Sequence, residues 1–260
     1  MLETSDLTIS YTGRPVVSDV TFAAESGRVT ALLGRNGAGK TTLLRALNGG
    51  IVPIAGEVRL NGIALSRYSR RAVARVVAVV AQETSVAFPV SVLEFVLGGR
   101  FSAGKWFGWE TDEDIELARI AIRETGLVEF ETRLMNELSG GERQRAVIAR
   151  ALASGASVLL LDEPTANLDI AEQAKMLARI RSRCSSSGAS AVFVTHDLNL
   201  AAEFASEVLL LKDGCVFFKG KPWEAFRPEL IQEVFGLKVV VDSHPVSGTP
   251  RITPVHEGLN

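Results

Sequence analysis

The stretch RVTALLGRNGAGKTTLLRALNGG, Arg28–Gly50, carries a strand, a turn and a helix in succession. RVTALLG (Arg28–Gly34) is a continuous apolar run of the length expected of a strand buried on both faces. GRNGAGKT (Gly34–Thr41) matches G-x-x-x-x-G-K-[ST]. Gly34, Gly37 and Gly39 let the backbone wrap closely around phosphate groups, with Arg35, Asn36 and Ala38 between them. Lys40 reaches the outer phosphates, and the Thr41 hydroxyl suits a Mg²⁺ ligand. From Thr42 the chain reads as a helix that stops at Gly49-Gly50, so the positive end of its dipole faces the loop. An ordinary glycine-rich turn lacks the buried strand before it and the helix after it.

Upstream, LTISYTGRPVVSDVTF (Leu7–Phe22) alternates apolar and polar residues around Gly13-Arg14-Pro15, the pattern of a hairpin. Downstream, GEVRLNG (Gly56–Gly62) reads as a short strand with a turn, and RVVAVVAQ (Arg75–Gln82) as a second buried strand. From about Val90 to Ala153 the pattern is helical. Three strand-like runs follow: SVLLLDE (Ser157–Glu163), SAVFVTHD (Ser190–Asp197) and EVLLLKDG (Glu207–Gly214). A helical AEQAKMLARIRSRC (Ala171–Cys184) separates the first two. Alternating strands and helices imply a parallel sheet covered on both faces. The expected division is an α/β core over 1–85 and 156–221, a helical subdomain over 86–155, and a small αβ extension over 222–260.

Several side chains collect at the carboxyl ends of the apolar strands, where α/β sheets place their ligand groups. Asp162 closes SVLLLD and can hold Mg²⁺ directly or through water. Glu163, one residue on, can turn toward the γ-phosphate and polarise an attacking water, a general-base role. His196 can hydrogen-bond a γ-phosphate. Gln82 can ligate Mg²⁺ or position water. A further stretch, LSGGERQRAVIARAL (Leu138–Leu152), places Ser139-Gly140-Gly141 at the start of a helix. It reads as a second phosphate-facing turn, with bare backbone N–H groups.

GRNGAGKT, Gln82, LSGGE, VLLLDEPTANLD and His196 stand in the order and spacing of ABC transporter ATPase subunits, and the chain resembles that family over its whole length. LSGGE is the most diagnostic, since most other phosphate-loop proteins lack it. The resemblance implies a P-loop NTPase (RecA-like) α/β core with an antiparallel β subdomain and an inserted α-helical subdomain. It assigns Walker A to Gly34–Thr41, the Q-loop to Gln82 and the signature to Ser139, Gly140, Gly141 and Glu142. Walker B falls on Asp162 and Glu163, the D-loop on Asp169 and the switch histidine on His196. Tyr11 falls where the family stacks an aromatic ring on adenine. TANLD stands where many members have a TSALD-like sequence, but Asp169 is kept. In this family the signature turn binds ATP held by a second subunit, so the resemblance implies a homodimer closed around two ATP and Mg²⁺.

The resemblance also implies what such a dimer drives: integral membrane permease subunits and, indirectly, a substrate-binding protein. VAFPVSVLEFVLGGR and the tail LIQEVFGLKVVVDSHPVSGTPRITP resemble the subfamily serving ferric siderophores, haem and cobalamin. The expected location is peripheral, at the cytoplasmic face of the inner membrane. The 260 residues are 47% hydrophobic and 22% charged, an ordinary globular balance, and a formal charge of −2 gives no general affinity for nucleic acid. No apolar run reaches the ~18–20 residues of a membrane helix, and the opening MLETSDLTIS lacks the basic and apolar regions of a signal peptide. Cys184 and Cys215 lack metal-ligand spacing and read as reduced thiols; His244 and His256 likewise have no partners at ligand spacing. The aromatic cluster Trp106, Phe107 and Trp109 reads either as a docking surface or as a loop over a small helical core. Two other readings are weighed. A non-transport ABC ATPase would carry long heptads or a second nucleotide domain, neither of which is present; a degenerate module would lack Lys40, Glu163 or His196.

Overall fold

The computed structural model describes residues 1–11, 13–82, 89–102 and 111–255. Trp106, Phe107, Trp109 and His256 lie outside them. β1 (Leu2–Tyr11) and β2 (Arg14–Ala24) form the opening hairpin. β3 (Val29–Leu33), buried at every position, delivers the chain to the glycine loop and α1 (Lys40–Leu47). β4 (Ala55–Leu60) turns through Asn61 and Gly62, both at positive φ, into the short β5 (Ile63–Ala64). Asn-Gly suits such a turn because both central residues tolerate the left-handed region. β2, β1, β4 and β5 make an antiparallel sheet in that order.

Next come α2 (Arg70–Val76) and β6 (Val77–Val80). Here the structure corrects the expectation of a strand from Arg75: Arg75 and Val76 close a helix. The Ser69 hydroxyl caps its start by accepting from the Ala72 N–H, a local signal that outweighs the apolar run. The helical part comprises α3 (Val92–Leu97), α4 (Asp112–Glu124) and α5 (Gly140–Ala153), which pack on one another. Arg100 ties them together. It pairs with Asp114 at 2.8 Å and donates to the Ala153 and Ser154 carbonyls at the end of α5.

The chain then alternates: β7 (Val158–Asp162), α6 (Ile170–Ser187), β8 (Ser190–Val194), α7 (Leu198–Phe204), β9 (Glu207–Lys212) and β10 (Cys215–Gly220). The main sheet runs β10-β9-β3-β8-β7-β6, parallel except for β10 at its edge. Side chains alternate across it. Leu159, Leu161, Ala191, Phe193, Val208 and Leu210 face the helical side. Leu160, Val192, Val194, Leu209 and Leu211 face α1 and the antiparallel sheet. Such double-sided burial is why these strands read as unbroken apolar runs. It also makes them costly to alter, since truncating one such leucine to alanine removes about 2–5 kcal/mol. After β10 the chain adds α8 (Pro222–Ala225), α9 (Pro228–Phe235) and a hairpin of β11 (Val239–Ser243) and β12 (Pro250–Pro254).

Candidate active site

Parallel pairing brings the carboxyl ends of β3, β8 and β7 side by side: Leu32 pairs with Val194, and Val194 with Asp162. The glycine loop leaves the first of these ends. Gly34 and Gly39 are fixed there by space. A Cβ on Gly34 would stand 2.4 Å from the Leu211 carbonyl oxygen, and one on Gly39 would stand 2.8 Å from that of Val16. Gly37 has open space but a φ of 82° that favours glycine. Gly39 is also the N-cap of α1 and supplies no capping side chain, so the first turn keeps its N–H groups for something else.

Lys40 is 7% exposed and folds back along the loop, its Nζ donating to the carbonyls of Gly34 (2.8 Å) and Arg35 (3.0 Å). Burial lowers its pKa, while the negative charges of Glu163 and Asp162 oppose the shift. Asp162 is equally buried, and burial raises its pKa; a hydrogen bond from Thr41 lowers it and the Glu163 charge raises it further. A buried lysine, two carboxylates and a threonine hydroxyl thus sit at one strand edge with their charges incompletely compensated. Such a set accommodates a polyanion and a cation together.

Glu163 has φ 49°, in the left-handed region, while its N–H donates to the Val194 carbonyl at 3.2 Å. A non-glycine residue held there costs about 1–3 kcal/mol. This turn carries the side chain away from the strand's alternation and toward its neighbours. Glu163 Oε1 lies 2.7 Å from His196 Nε2, and its Oε2 accepts from Gln82 Nε2 at 3.3 Å. With Glu163 ionised, the proton of the first contact resides on Nε2. Three side chains singled out separately in the sequence therefore form one chain of hydrogen bonds. They line a cavity of about 500 Å³ with Asn36, Lys40, Thr41 and Thr42. Thr41, Asp162 and Gln82 offer only hard oxygen and amide donors, and no cluster of three or more His, Cys, Asp or Glu suited to a metal occurs among the described residues. That set fits Mg²⁺, which typically takes one or two protein groups and completes its shell with phosphates and water.

Tyr11 ends β1, is 43% exposed, and is not among the residues lining the cavity; Val16 of β2 is. Ser139, Gly140, Gly141 and Glu142 also lie outside that lining. Their turn is less bare than the sequence suggests. Ser139 Oγ accepts from the Glu142 N–H (3.3 Å), Glu142 Oε2 accepts from the Ser139 N–H (2.8 Å), and Arg143 N–H reaches the Ser139 carbonyl. This capping box leaves Gly140 and Gly141 as the helix's own unsatisfied donors. A Cβ on Gly140 would meet nothing within 4 Å. One on Gly141 would stand 3.1 Å from the Asn167 carbonyl oxygen, in the segment leading to Asp169. Asp169 caps α6 by accepting from the Glu172 N–H.

Three residues passed over in the sequence hold these parts together. Gln144, 6% exposed on α5, donates to the Pro164 carbonyl just after Glu163. Gln173 donates to the carbonyls of Thr165 and Leu168. Arg143 donates to those of Met135 and Leu138 ahead of the turn. Gln144 had one signal: an uncharged polar residue in the stripe of α5 that otherwise carries Val147, Ile148 and Ala151.

Residues 17–166 match the sequence profile of a family described as ABC transporter. The chain is 39% identical over 254 residues to the cobalamin import ATP-binding protein BtuD of Halobacterium salinarum, an alignment spanning 98% of this chain and 63% of that protein, less than two thirds of its length. It is 40% identical over 262 residues to the hemin import ATP-binding protein HmuV of Gloeobacter violaceus, covering 98% and 94% of the two chains. A solved structure described as an inward-facing ABC transporter of metal-chelate type superposes with a TM-score of 0.84 at 30% identity, over 98% of each chain.

Proposed function

The chain belongs to the ABC transporter family, and from that premise we propose that it is the ATP-hydrolysing subunit of an importer for ferric siderophore, haem or cobalamin. The observation that carries this reading is the meeting of Lys40, Thr41, Gln82, Glu163 and His196 on one cavity, with the Ser139-Gly140-Gly141 turn outside it. The first set holds a nucleotide; the turn is left to serve another subunit's nucleotide in a two-fold dimer. In this reading Gly34, Arg35, Asn36, Gly37, Ala38, Gly39 and Thr42 cradle the phosphates, with Tyr11 beside the base. Lys40 exchanges its two carbonyl acceptors for phosphate oxygens. Thr41, Gln82 and Asp162 hold Mg²⁺, which when bound neutralises phosphate charge. Glu163 takes the proton of the attacking water, while His196 and Gln82 fix its carboxylate between them. Asp169 sets the segment beneath Gly141.

The substrate class rests on the named activities of the cobalamin and hemin relatives and on the metal-chelate structure. Among the described residues no helix is long and apolar enough to cross a membrane. On this reading permease subunits supply the path, with this chain peripheral at the cytoplasmic face of the inner membrane and a substrate-binding protein further along. A second cavity, of about 660 Å³, suits the permease contact. Its lining includes Gly50, Val52, Leu65, Arg70, Val73 and Val79, and Val52 is 84% exposed. β6 lends Val77 and Val79 to this cavity and leads two residues on to Gln82 at the nucleotide cavity, a short mechanical path between them.

The test is uptake by cells lacking the gene, complemented with wild type or Lys40→Ala, using labelled ferric siderophore, haem and cobalamin. Loss of one uptake, restored only by wild type, is the expected result. No loss of any of the three would overturn the substrate class. Purified Glu163→Gln should bind ATP and form a lasting dimer, with turnover lower by about 10²–10⁴-fold; wild-type turnover would overturn the general-base role.

A further inference from the structure

The C-terminal hairpin grips α7 at both ends. At the start of α7, the Asn199 amide donates from Nδ2 to the Ile252 carbonyl (3.1 Å), and its Oδ1 accepts from the Ile252 N–H (2.8 Å). The side chain thus satisfies both backbone groups of a β12 residue as a neighbouring strand would. Ile252 is itself buried in the main core. At the far end, Glu203 Oε2 accepts from Ser247 Oγ (2.6 Å) and Thr249 Oγ1 (2.7 Å). Arg181 of α6 donates to the Glu203 carbonyl. These hydroxyl bonds, with the charges of His244 and Arg181, hold the Glu203 carboxyl below its ordinary range although burial pushes the other way.

α7 has only seven residues, too few to hold an orientation by itself. Its N-cap is Asp197, whose Oδ1 accepts from the N–H groups of Asn199 and Leu200. The Asp197 N–H in turn donates to Thr195 Oγ1. His196 stands between Thr195 and Asp197, in the three-residue link from β8 to α7. One end of that link is fixed by the sheet and the other by α7. Asn199 is engaged twice, by backbone to the cap beside His196 and by side chain to the hairpin.

We infer that the hairpin of residues 239–254 is a brace that sets the His196 imidazole on Glu163 through α7, with Asn199 as the positioning residue. The inference rests on the ATPase reading, in which His196 and Glu163 act together. It gives the C-terminal extension a role in turnover, although none of its described residues lines the nucleotide cavity.

The test uses the full chain. In Asn199→Ala, kcat for ATP should fall by about tenfold, equal to about 1.4 kcal/mol of transition-state positioning, with KM changed less than about twofold. Placed on a His196→Ala background, Asn199→Ala should lower kcat no further, because the group it positions is gone. A merely structural role would lower kcat equally in both backgrounds, and that result would overturn the brace. So would an unchanged kcat in a folded Asn199→Ala. Should Asn199→Ala not fold, Ser247→Ala with Thr249→Val releases the far anchor at Glu203 without altering any residue of α7. That pair should give a smaller loss of the same kind, again absent without His196; no loss, or the same loss without His196, would overturn the brace. The imidazole resonance of His196, one of three histidines, supplies a readout independent of turnover. It should move in Asn199→Ala, and an unmoved signal would overturn the brace. A wild-type chain that hydrolyses no ATP would instead defeat the functional reading, leaving the resonance to judge the brace alone.

Discussion

Two helices of this molecule begin on glycine-rich turns, and they begin differently. α1 starts behind Gly39 with no side-chain cap, a buried lysine at its first residue and, at Gly34 and Gly39, no room for a Cβ. α5 starts behind Ser139 with a complete capping box and, at Gly140, open space. The first turn is a cradle whose cost is carried by the fold: buried charge, left-handed backbone and unfilled donors. The second is stable by itself and offers only two N–H groups. A site that holds its ligand through a cycle and one that releases it each cycle are expected to differ in this way. On the proposed function, nucleotide would seat in the cradle first and meet the capped turn afterwards.

The sharpest way to break this contrast is at Lys40. Lys40→Ala removes the buried cation of the cradle and should cost about 10²–10³-fold in hydrolysis, on the scale of losing a dedicated charge-stabilising group. Its ATP binding, followed by fluorescent nucleotide titration, should fall with it. A variant that still binds ATP like wild type would mean the cradle works through glycine backbone alone. Next is Gly140→Ala. Its added methyl meets nothing in the subunit, so melting temperature and ATP binding by the monomer should match wild type. The dimer formed with ATP, measured by light scattering in a Glu163→Gln background, should weaken by at least about tenfold, or 1.4 kcal/mol. An intact dimer would show that the second turn does not meet a partner's nucleotide. Ser139→Ala is milder: it breaks the box and should cost about 1 kcal/mol of stability, leaving nucleotide binding by the monomer intact.

How these two turns were readable in the sequence follows the same divide. The cradle is written locally, since Gly34, Gly37, Gly39, Lys40 and Thr41 do their work within eight residues. The core strands were legible for a related reason: burial on both faces leaves unbroken apolar runs. The start of β6 was not, because a run such as VVAVV has no period that separates strand from helix, and the Ser69 cap decided it. The capping box of α5 was present as Ser139 and Glu142, three apart, yet reading the turn as an anion site hid that it satisfies two of its own donors. Contacts between distant residues left little mark beyond the single uncharged polar Gln144 among apolar neighbours. Asn199 meets Ile252 across 53 positions, and Gln144 meets Pro164 across 20. Only the folded chain shows that such side chains tie the sheet edge carrying Glu163 and His196 to its surroundings.

The smallest expected effect separates the two turns by the sign of a pH dependence. Asp162 in the cradle has a raised pKa, chiefly from burial. The folded chain therefore binds its proton more tightly than the unfolded chain does. Stability contributed there is present below the ordinary carboxylate range and lost as pH rises through the raised value; at neutral pH the ionised group is a standing cost. Glu142 at the capped turn is the reverse: the Ser139 N–H, foremost, holds its pKa down. Its contribution is present above the ordinary range and lost as pH falls toward the lowered value. Near neutral pH, without nucleotide, Asp162→Asn should therefore raise the melting temperature by a few degrees while abolishing Mg²⁺-dependent hydrolysis. Glu142→Gln should lower it slightly. As pH is brought down into the carboxylate range, both differences should shrink, because protonation makes each acid resemble its amide. Melting curves of the three proteins across that range decide the matter. Should Asp162→Asn melt below wild type at neutral pH, its carboxylate would be a stabilising partner of Lys40, and the cradle would be no less self-satisfied than the capped turn.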